Sequence, residues 1–180
     1  MSSSRDRRRF LFTAGGVAAA LLVSGCGFRP LYGRKARGEV DGELARIKVG
    51  IIPDREGQQL HNYLLDRINR KGRPASPDYL LSVDIKIEKV RQAFEPDESA
   101  TRVKLVFTAQ FFLQEIATEK ILYRNFARSV SSYNIVDSAI ATRSAELDTI
   151  DRAARTVSEE IRMLLALYLQ RRAAEAEAES

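Results

Sequence analysis

The 180-residue sequence predicts an α+β fold: a two-layer sandwich, with two helices packed on one face of a four-stranded, mostly antiparallel sheet in the order β-α-β-β-β-α. Three observations predict it. From Tyr79 onward, Leu81, Val83, Ile85 and Ile87 alternate with Ser82, Asp84, Lys86 and Glu88, the period of a strand with one face buried and the other wet. Val103, Leu105, Phe107, Ala109, Phe111 and Leu113 alternate in the same way with Arg102, Lys104, Val106, Thr108, Gln110 and Phe112. From about Ser138 to Arg172 there is neither Gly nor Pro, and Leu147, Ile150, Ala154, Val157, Ile161, Leu164 and Tyr168 recur at three- and four-residue steps, the apolar seam of one long helix. An apolar face on each element drives the elements into layers.

The N-terminus reads as an address ahead of that fold. Arg5, Arg7, Arg8 and Arg9 against Asp6 make a positive start, and Phe10 to Val23 is an apolar run of about fourteen residues. That length suits a signal peptide and falls short of the ~20 residues a spanning helix needs. Ser24 and Gly25 follow, then Cys26, the only cysteine. Val23-Ser24-Gly25-Cys26 fits the lipobox of bacterial lipoproteins. Processing there attaches diacylglycerol to the thiol and cuts just before it, so the flanking side chains must be small. The freed amine is then acylated as well. Each buried CH₂ contributes about 0.8 kcal/mol, so several chains anchor far more firmly than one. Residues 1–25 are therefore expected to be a removed signal peptide, with Cys26 the lipidation site carrying covalent diacylglycerol and an N-acyl chain and no other cofactor or metal. A lone cysteine allows no intrachain disulfide. Arg7-Arg8-Arg9-Phe10-Leu11 resembles a twin-arginine export motif, departing from it at Asp6 and Phe12, while three arginines before an apolar run also suit the general secretory route.

Removing residues 1–25 leaves 155, one domain's worth. It also removes four Arg and one Asp, so the formal charge drops from +5 to +2, 25 basic against 23 acidic residues. The basicity of the whole chain is partly a leader effect, and no nucleic-acid partner is expected.

Residues 26–45 read as a lipidated tether, interrupted by Gly27, Pro30, Gly33, Gly38 and Gly42, and the domain as 46–172. Arg46 to Ile52 reads as a strand with Ile47, Val49 and Ile51 on one face, closed by Pro53. Asp54 is placed to cap a helix running to about Arg70, with Leu60, Leu64 and Ile68 every four residues and Lys71-Gly72 as its stop. In the strand from Tyr79 the phase slips near Val90, which predicts a bulge or bend. Glu95–Ala100, with Pro96 restricting its backbone, makes the reversal into the third strand. "IATEK" turns the chain into a fourth strand from about Ile121 to Tyr133. The last helix, about 35 residues at 1.5 Å each, spans roughly 50 Å. Residues 173–180, "AAEAEAES", read as an acidic flexible tail.

Catalytic chemistry is sparse. His61 is the only histidine, and it sits beside the apolar stripe of the first helix with no second His or spare Cys to share a metal. Nucleophilic triads would need that one imidazole. No Gly-rich phosphate loop occurs, and the acidic residues are scattered on wet faces. The reading is of a protein that is not an enzyme.

What remains is surface. Lys86, Arg102 and Lys104, with Arg91 past the expected bulge and Arg124 and Arg128 on the fourth strand, are either solvated strand faces that discourage edge aggregation or a patch for phosphates and carboxylates. Phe94, Phe112, Tyr123 and Tyr133 fall out of phase with the core. Exposed aromatics near cations suit an amphipathic anion or a protein partner.

The lipobox, the "CGFRPLYG" of Cys26–Gly33 and the element order together resemble the LptE family, the lipopolysaccharide-assembly lipoproteins of the Gram-negative outer membrane. The resemblance implies a non-catalytic protein that plugs and supports assembly of the LptD β-barrel and helps deliver lipopolysaccharide to the cell surface. Its partners would be that barrel, lipopolysaccharide and, through the anchor, the membrane. Its place would be the outer membrane, with the domain facing the periplasm or inside the barrel lumen. Arg91, Arg102 and Lys104, flanking the reversal, are the candidate lipopolysaccharide-binding residues, since phosphorylated lipid A pairs with Lys and Arg. Gly27, where an Asp would favour retention in the inner membrane, permits transfer outward. An auxiliary lipoprotein of a phospholipid or other envelope lipid-transport system would share the tether and the α/β build.

Overall fold

A computed structural model describes residues 34–92 and 101–179. The elements are α1 (Arg34–Leu44), β1 (Ile47–Val49), α2 (Arg55–Ile68), β2 (Tyr79–Gln92), β3 (Thr101–Glu115), β4 (Ile121–Ile135) and α3 (Ala139–Glu179). The chain divides at Gly38, and the compact unit from there onward carries all that follows. The lipobox, Cys26, the Cys26–Gly33 stretch, Phe94 and the Glu95–Ala100 reversal lie outside the described residues.

The sheet order is β1-β2-β3-β4. β1 runs parallel to β2, and the other pairings are antiparallel, so the sheet is mixed. A parallel neighbour needs a crossover, which α2 supplies. In β2 the odd residues face the helices: Tyr79, Leu81 and Val83 are buried, and Ile85 and Ile87 are half-buried. β3 contributes Leu105, Phe107, Ala109, Phe111 and Leu113, all fully buried. α3 presents Ala153 and Ala154 alongside Ile150, Val157, Ile161, Leu165 and Leu169. α2 adds Leu60, Leu64 and Ile68, so the core is one contiguous cluster between the layers.

Several expectations are corrected. Within the stretch read as a tether, Arg34–Leu44 form a helix, whose Val40 and Leu44 pack on the core. The first strand is only three residues long. Ile51, expected on its buried face, is 87 % exposed, and Ile52 is fully buried instead. After Gly50, whose N–H donates to Leu81 O at 2.8 Å, the chain leaves the sheet to enter α2. Asp54 makes no side-chain cap. It has φ 66°, a positive value rare for a side chain with a Cβ. No bulge occurs near Val90: β2 and β3 stay in register from Tyr79↔Glu115 to Gln92↔Arg102. The irregularity lies instead between Leu113 and Gln114, against β4. The stretch read as a flexible tail continues α3 to Glu179.

The seam of α3 also shifts. Leu165 and Leu169 are buried, where Leu164 and Tyr168 were expected and are only half-buried. A straight helix repeats every 3.6 residues and drifts ~20° per heptad from a 3.5 repeat. Stepping by 3.6 from Leu147 leads to Leu165, where the heptad count leads to Leu164.

α2 starts on a tight contact. A Cβ on Gly57 would lie 2.7 Å from Ile52 Cγ2 and 3.1 Å from the Ile52 carbonyl carbon and oxygen. Gly57→Ala is therefore expected to destabilise the protein by about 1–3 kcal/mol, read as a lower urea midpoint. Gly42→Ala, in α1 with open space around it, should stabilise by about 0.5–1 kcal/mol.

Candidate functional site

The described helices pack on one face of the sheet, and the even-numbered residues of β2, β3 and β4 form the other. Cross-strand rows define that face: Gln92, Arg102 and Asn134; then Val90, Lys104 and Ser132; then Glu88, Val106 and Val130. Below them lie Lys86, Thr108 and Arg128; Asp84, Gln110 and Phe126; and Ser82, Phe112 and Arg124. Five of these side chains are basic (Lys86, Arg102, Lys104, Arg124, Arg128) and two acidic (Asp84, Glu88). Among them stand apolar residues that are more than half exposed: Val90 at 53 %, Phe126 at 58 % and Val130 at 54 %. The Arg124 guanidinium lies 4.9 Å over the Phe112 ring. Lys86 and Glu88 pair at 2.7 Å, and Lys86 holds the Glu88 carboxyl below its ordinary value.

This geometry divides the expected basic cluster. Arg102 and Lys104 are neighbours on the open face, Arg102 donating to Asn134 Oδ1 at 3.4 Å. Arg91, opposite Val103, has the parity of the helix-covered face. It belongs with Lys89, Tyr133, Arg143 and Glu146 at the tip where α3 begins. Glu146 accepts from Lys89 of β2 and, at 2.9 Å, from Arg143 of α3. The hydrogen bond from Lys89 leads the effects that lower its pKa. Burial pushes the Tyr133 phenol up.

Two of the aromatics expected outside the core belong to it. Tyr123 stacks on Tyr168 at 4.7 Å and meets Phe111 edge-on at 5.9 Å, and Tyr133 is half-buried against the core. The residues that sequence reasoning missed on the open face are Val90, Phe126 and Val130. The signal was present in the alternation, because Val106 and Phe112 already occupy its wet phase.

The helix layer is locked by polar contacts. Tyr63 OH of α2 donates to Asp151 Oδ1 at 2.6 Å, and Arg155 Nη2 donates to Tyr63 OH at 3.1 Å and to Asp151 Oδ2 at 3.2 Å. The hydrogen bond to Asp151 is the main cause of the raised Tyr63 pKa. Arg67 pairs with Glu159 at 2.7 Å. These contacts hold structure together and bring no nucleophile or acid–base pair into a cleft.

The family model described as LptE, lipopolysaccharide-assembly, matches residues 44–165, which runs from the end of α1 to the buried Leu165. The chain belongs to this family. The LptE family is one of non-enzymatic lipopolysaccharide-assembly lipoproteins. An uncharacterized protein of Rickettsia prowazekii (strain Madrid E) is 27 % identical over 163 residues, covering 91 % of this chain and 99 % of its own length. Among solved structures, a candidate lipoprotein from Caulobacter crescentus CB15 aligns with TM-score 0.60 at 22 % identity, over 74 % of this chain and 97 % of that one. The minor lipoprotein from Acinetobacter baumannii aligns with TM-score 0.52 at 15 % identity, over 67 % and 90 %. Both share the fold.

The tip contacts carry a pH dependence. The folded pKa of Glu146 is lowered, so its contribution is present above the ordinary carboxylate value of about 4.3 and is lost as pH falls through the folded value. Amide protection in the β2 tip should decline in that acidic window in the unmodified protein. In Glu146→Gln it should be lower at neutral pH and flat across the window, as hydrogen exchange would read.

Proposed function

We propose that the chain is a lipopolysaccharide-assembly lipoprotein of the outer membrane whose open sheet face seats against the inner wall of an LptD-like β-barrel. The observation that carries this reading is the face itself, three long strands wide and bare of described helices. It alternates exposed apolar Val90, Phe126 and Val130, and Val106 buried between its neighbours, with hydrogen-bonding and charged side chains. A barrel lumen is lined by polar side chains, and a plug must match it with a mixed surface rather than a greasy one. Lipopolysaccharide phosphates would meet Arg102 and Lys104, which share that face next to the reversal joining β2 to β3. Arg91, on the opposite face, is set aside from this role. Cys26 would hold the domain to the membrane through its acyl chains.

Affinity purification from membranes with the anchor intact is expected to recover a large outer-membrane barrel. Phe126→Asp with Val130→Asp should reduce that recovery at least tenfold while leaving thermal stability nearly unchanged, since both side chains are exposed. Recovery of an inner-membrane lipid transporter instead would favour the auxiliary role in phospholipid transport. Arg102→Glu with Lys104→Glu should weaken lipopolysaccharide binding about tenfold or more, and Arg91→Glu should leave it unchanged. Equal effects from both changes would remove the open face as the binding surface.

Lipidation has its own test. Cys26→Ala is expected to abolish incorporation of labelled palmitate and to move the protein from the membrane to the soluble fraction. Continued labelling would place the acyl chain elsewhere.

A further inference from the structure

A groove of about 770 Å³ runs along the free edge of β1, away from the open face's basic rows. One wall is formed by the consecutive residues Lys48, Val49, Gly50 and Ile51. The other is α2, through His61 and Leu65. Because β1 is the edge of the sheet, only one of its sides is paired. Tyr79 N–H reaches Arg46 O and Gly50 N–H reaches Leu81 O, so the even-numbered peptide groups point at β2. In a parallel pair the intervening residues present both N–H and C=O to the opposite side. Ile47 and Val49 therefore turn theirs away from β2, and of the two Val49 lines the groove. One of these groups is already answered in the manner of an added strand: Asn69 Nδ2 donates to Ile47 O at 3.0 Å. The other atom of that amide, Oδ1, is buried without a partner, in a residue only 6 % exposed that lines the groove.

Charge selects among possible occupants. Lys48 and Arg73 line the groove and neither has an ion-pair partner among the described residues. No Asp or Glu lines it, and its apolar part comes from Leu65, Pro74, Pro77 and Leu80.

We infer that this groove receives an extended polypeptide segment bearing carboxylate side chains, which pairs with β1 as a fifth strand. Its backbone meets the outward peptide groups of Val49, at the groove end of β1. Its carboxylates meet Lys48 and Arg73. Main-chain pairing supplies affinity and the alternate side chains supply selectivity. Three residues is a short template, so the complex is a weak one that a tethered or neighbouring partner chain would use.

The probe is an end-blocked heptapeptide, Glu-Val-Glu-Val-Glu-Val-Glu, labelled for fluorescence anisotropy. It is offered to the full chain in a non-ionic detergent, beside its Lys-for-Glu counterpart and a version N-methylated at alternate amides. The acidic peptide is expected to bind, with the Val49 amide gaining at least tenfold protection from hydrogen exchange. The basic peptide should bind at least tenfold more weakly, and the N-methylated peptide should lose binding altogether. Lys48→Glu with Arg73→Glu, checked by circular dichroism, should reverse the preference between the acidic and basic peptides. Equal binding of the N-methylated peptide would overturn the proposal in favour of a simple anion site. No binding of the acidic peptide at millimolar concentration would overturn it outright. The N-methylated comparison uses unmodified protein, so it decides the matter even where the double variant fails to fold.

Discussion

Everything in this domain rests on the one apolar core held between the sheet and α3. Phe107 and Phe111 of β3 are fully buried in it, and Ala153 and Ala154 of α3 belong to the same cluster. Truncating such a phenylalanine typically costs 3–5 kcal/mol, a large part of the 5–15 kcal/mol by which a domain is stable. Length fits as well: 15-residue strands reach about 50 Å and the 41-residue helix about 60 Å. One helix can therefore cover two long strands end to end. With the core closed from one side, the even-numbered face of the sheet is left for use.

Parity made much of this legible. Strict alternation in β2 and β3 told which side chains would be buried, and the fold class follows from those strands and the long helix. Parity failed where local geometry intervened. Ile51 has the same parity as Ile47 and Val49, but β1 ends at Val49 and the chain turns, so Ile52 fills the core instead, pressed against Gly57. β4 was harder to read because its helix-facing positions include Asn125, Ser129 and Ser131. These are small or internally satisfied: Asn125 Nδ2 donates to Tyr123 OH at 2.7 Å. Helix α1 was hidden by Gly38 and Gly42, which lower helix propensity by up to about 1 kcal/mol each. Tertiary contacts of Val40 and Leu44 outweigh that.

The candidate site was legible in composition and misread in placement. Val90 stands in the wet phase of β2, and taking it as a slip of register introduced a bulge that does not exist. Without the bulge, Arg91 keeps the parity of Leu81 and Val83 and falls on the helix side, whereas Arg102 and Lys104 fall on the open side. Val90 was itself the signal. An apolar residue out of phase on a strand marks a second surface as readily as it marks a break in the first. Val106 and Phe112 repeat that signal on β3, and Phe126 and Val130 extend it across β4.

The charges on the open face are arranged so that binding disturbs little. Lys86 is paired with Glu88, Arg124 rests on Phe112, and Arg102 reaches Asn134, all at solvent-exposed positions. Exposed ion pairs contribute at most about 1 kcal/mol, so exchanging them for pairs with another molecule is nearly neutral. Charges of this kind steer and orient a partner more than they hold it. Holding falls to area removed from water, at roughly 25 cal/mol per Å² of apolar surface. On this face that area comes from Val90, Phe126 and Val130, which stand more than half exposed across the outer strands. Apolar residues in the wet phase thus supply the adhesion, and the basic residues between them set which surface can approach and in which orientation.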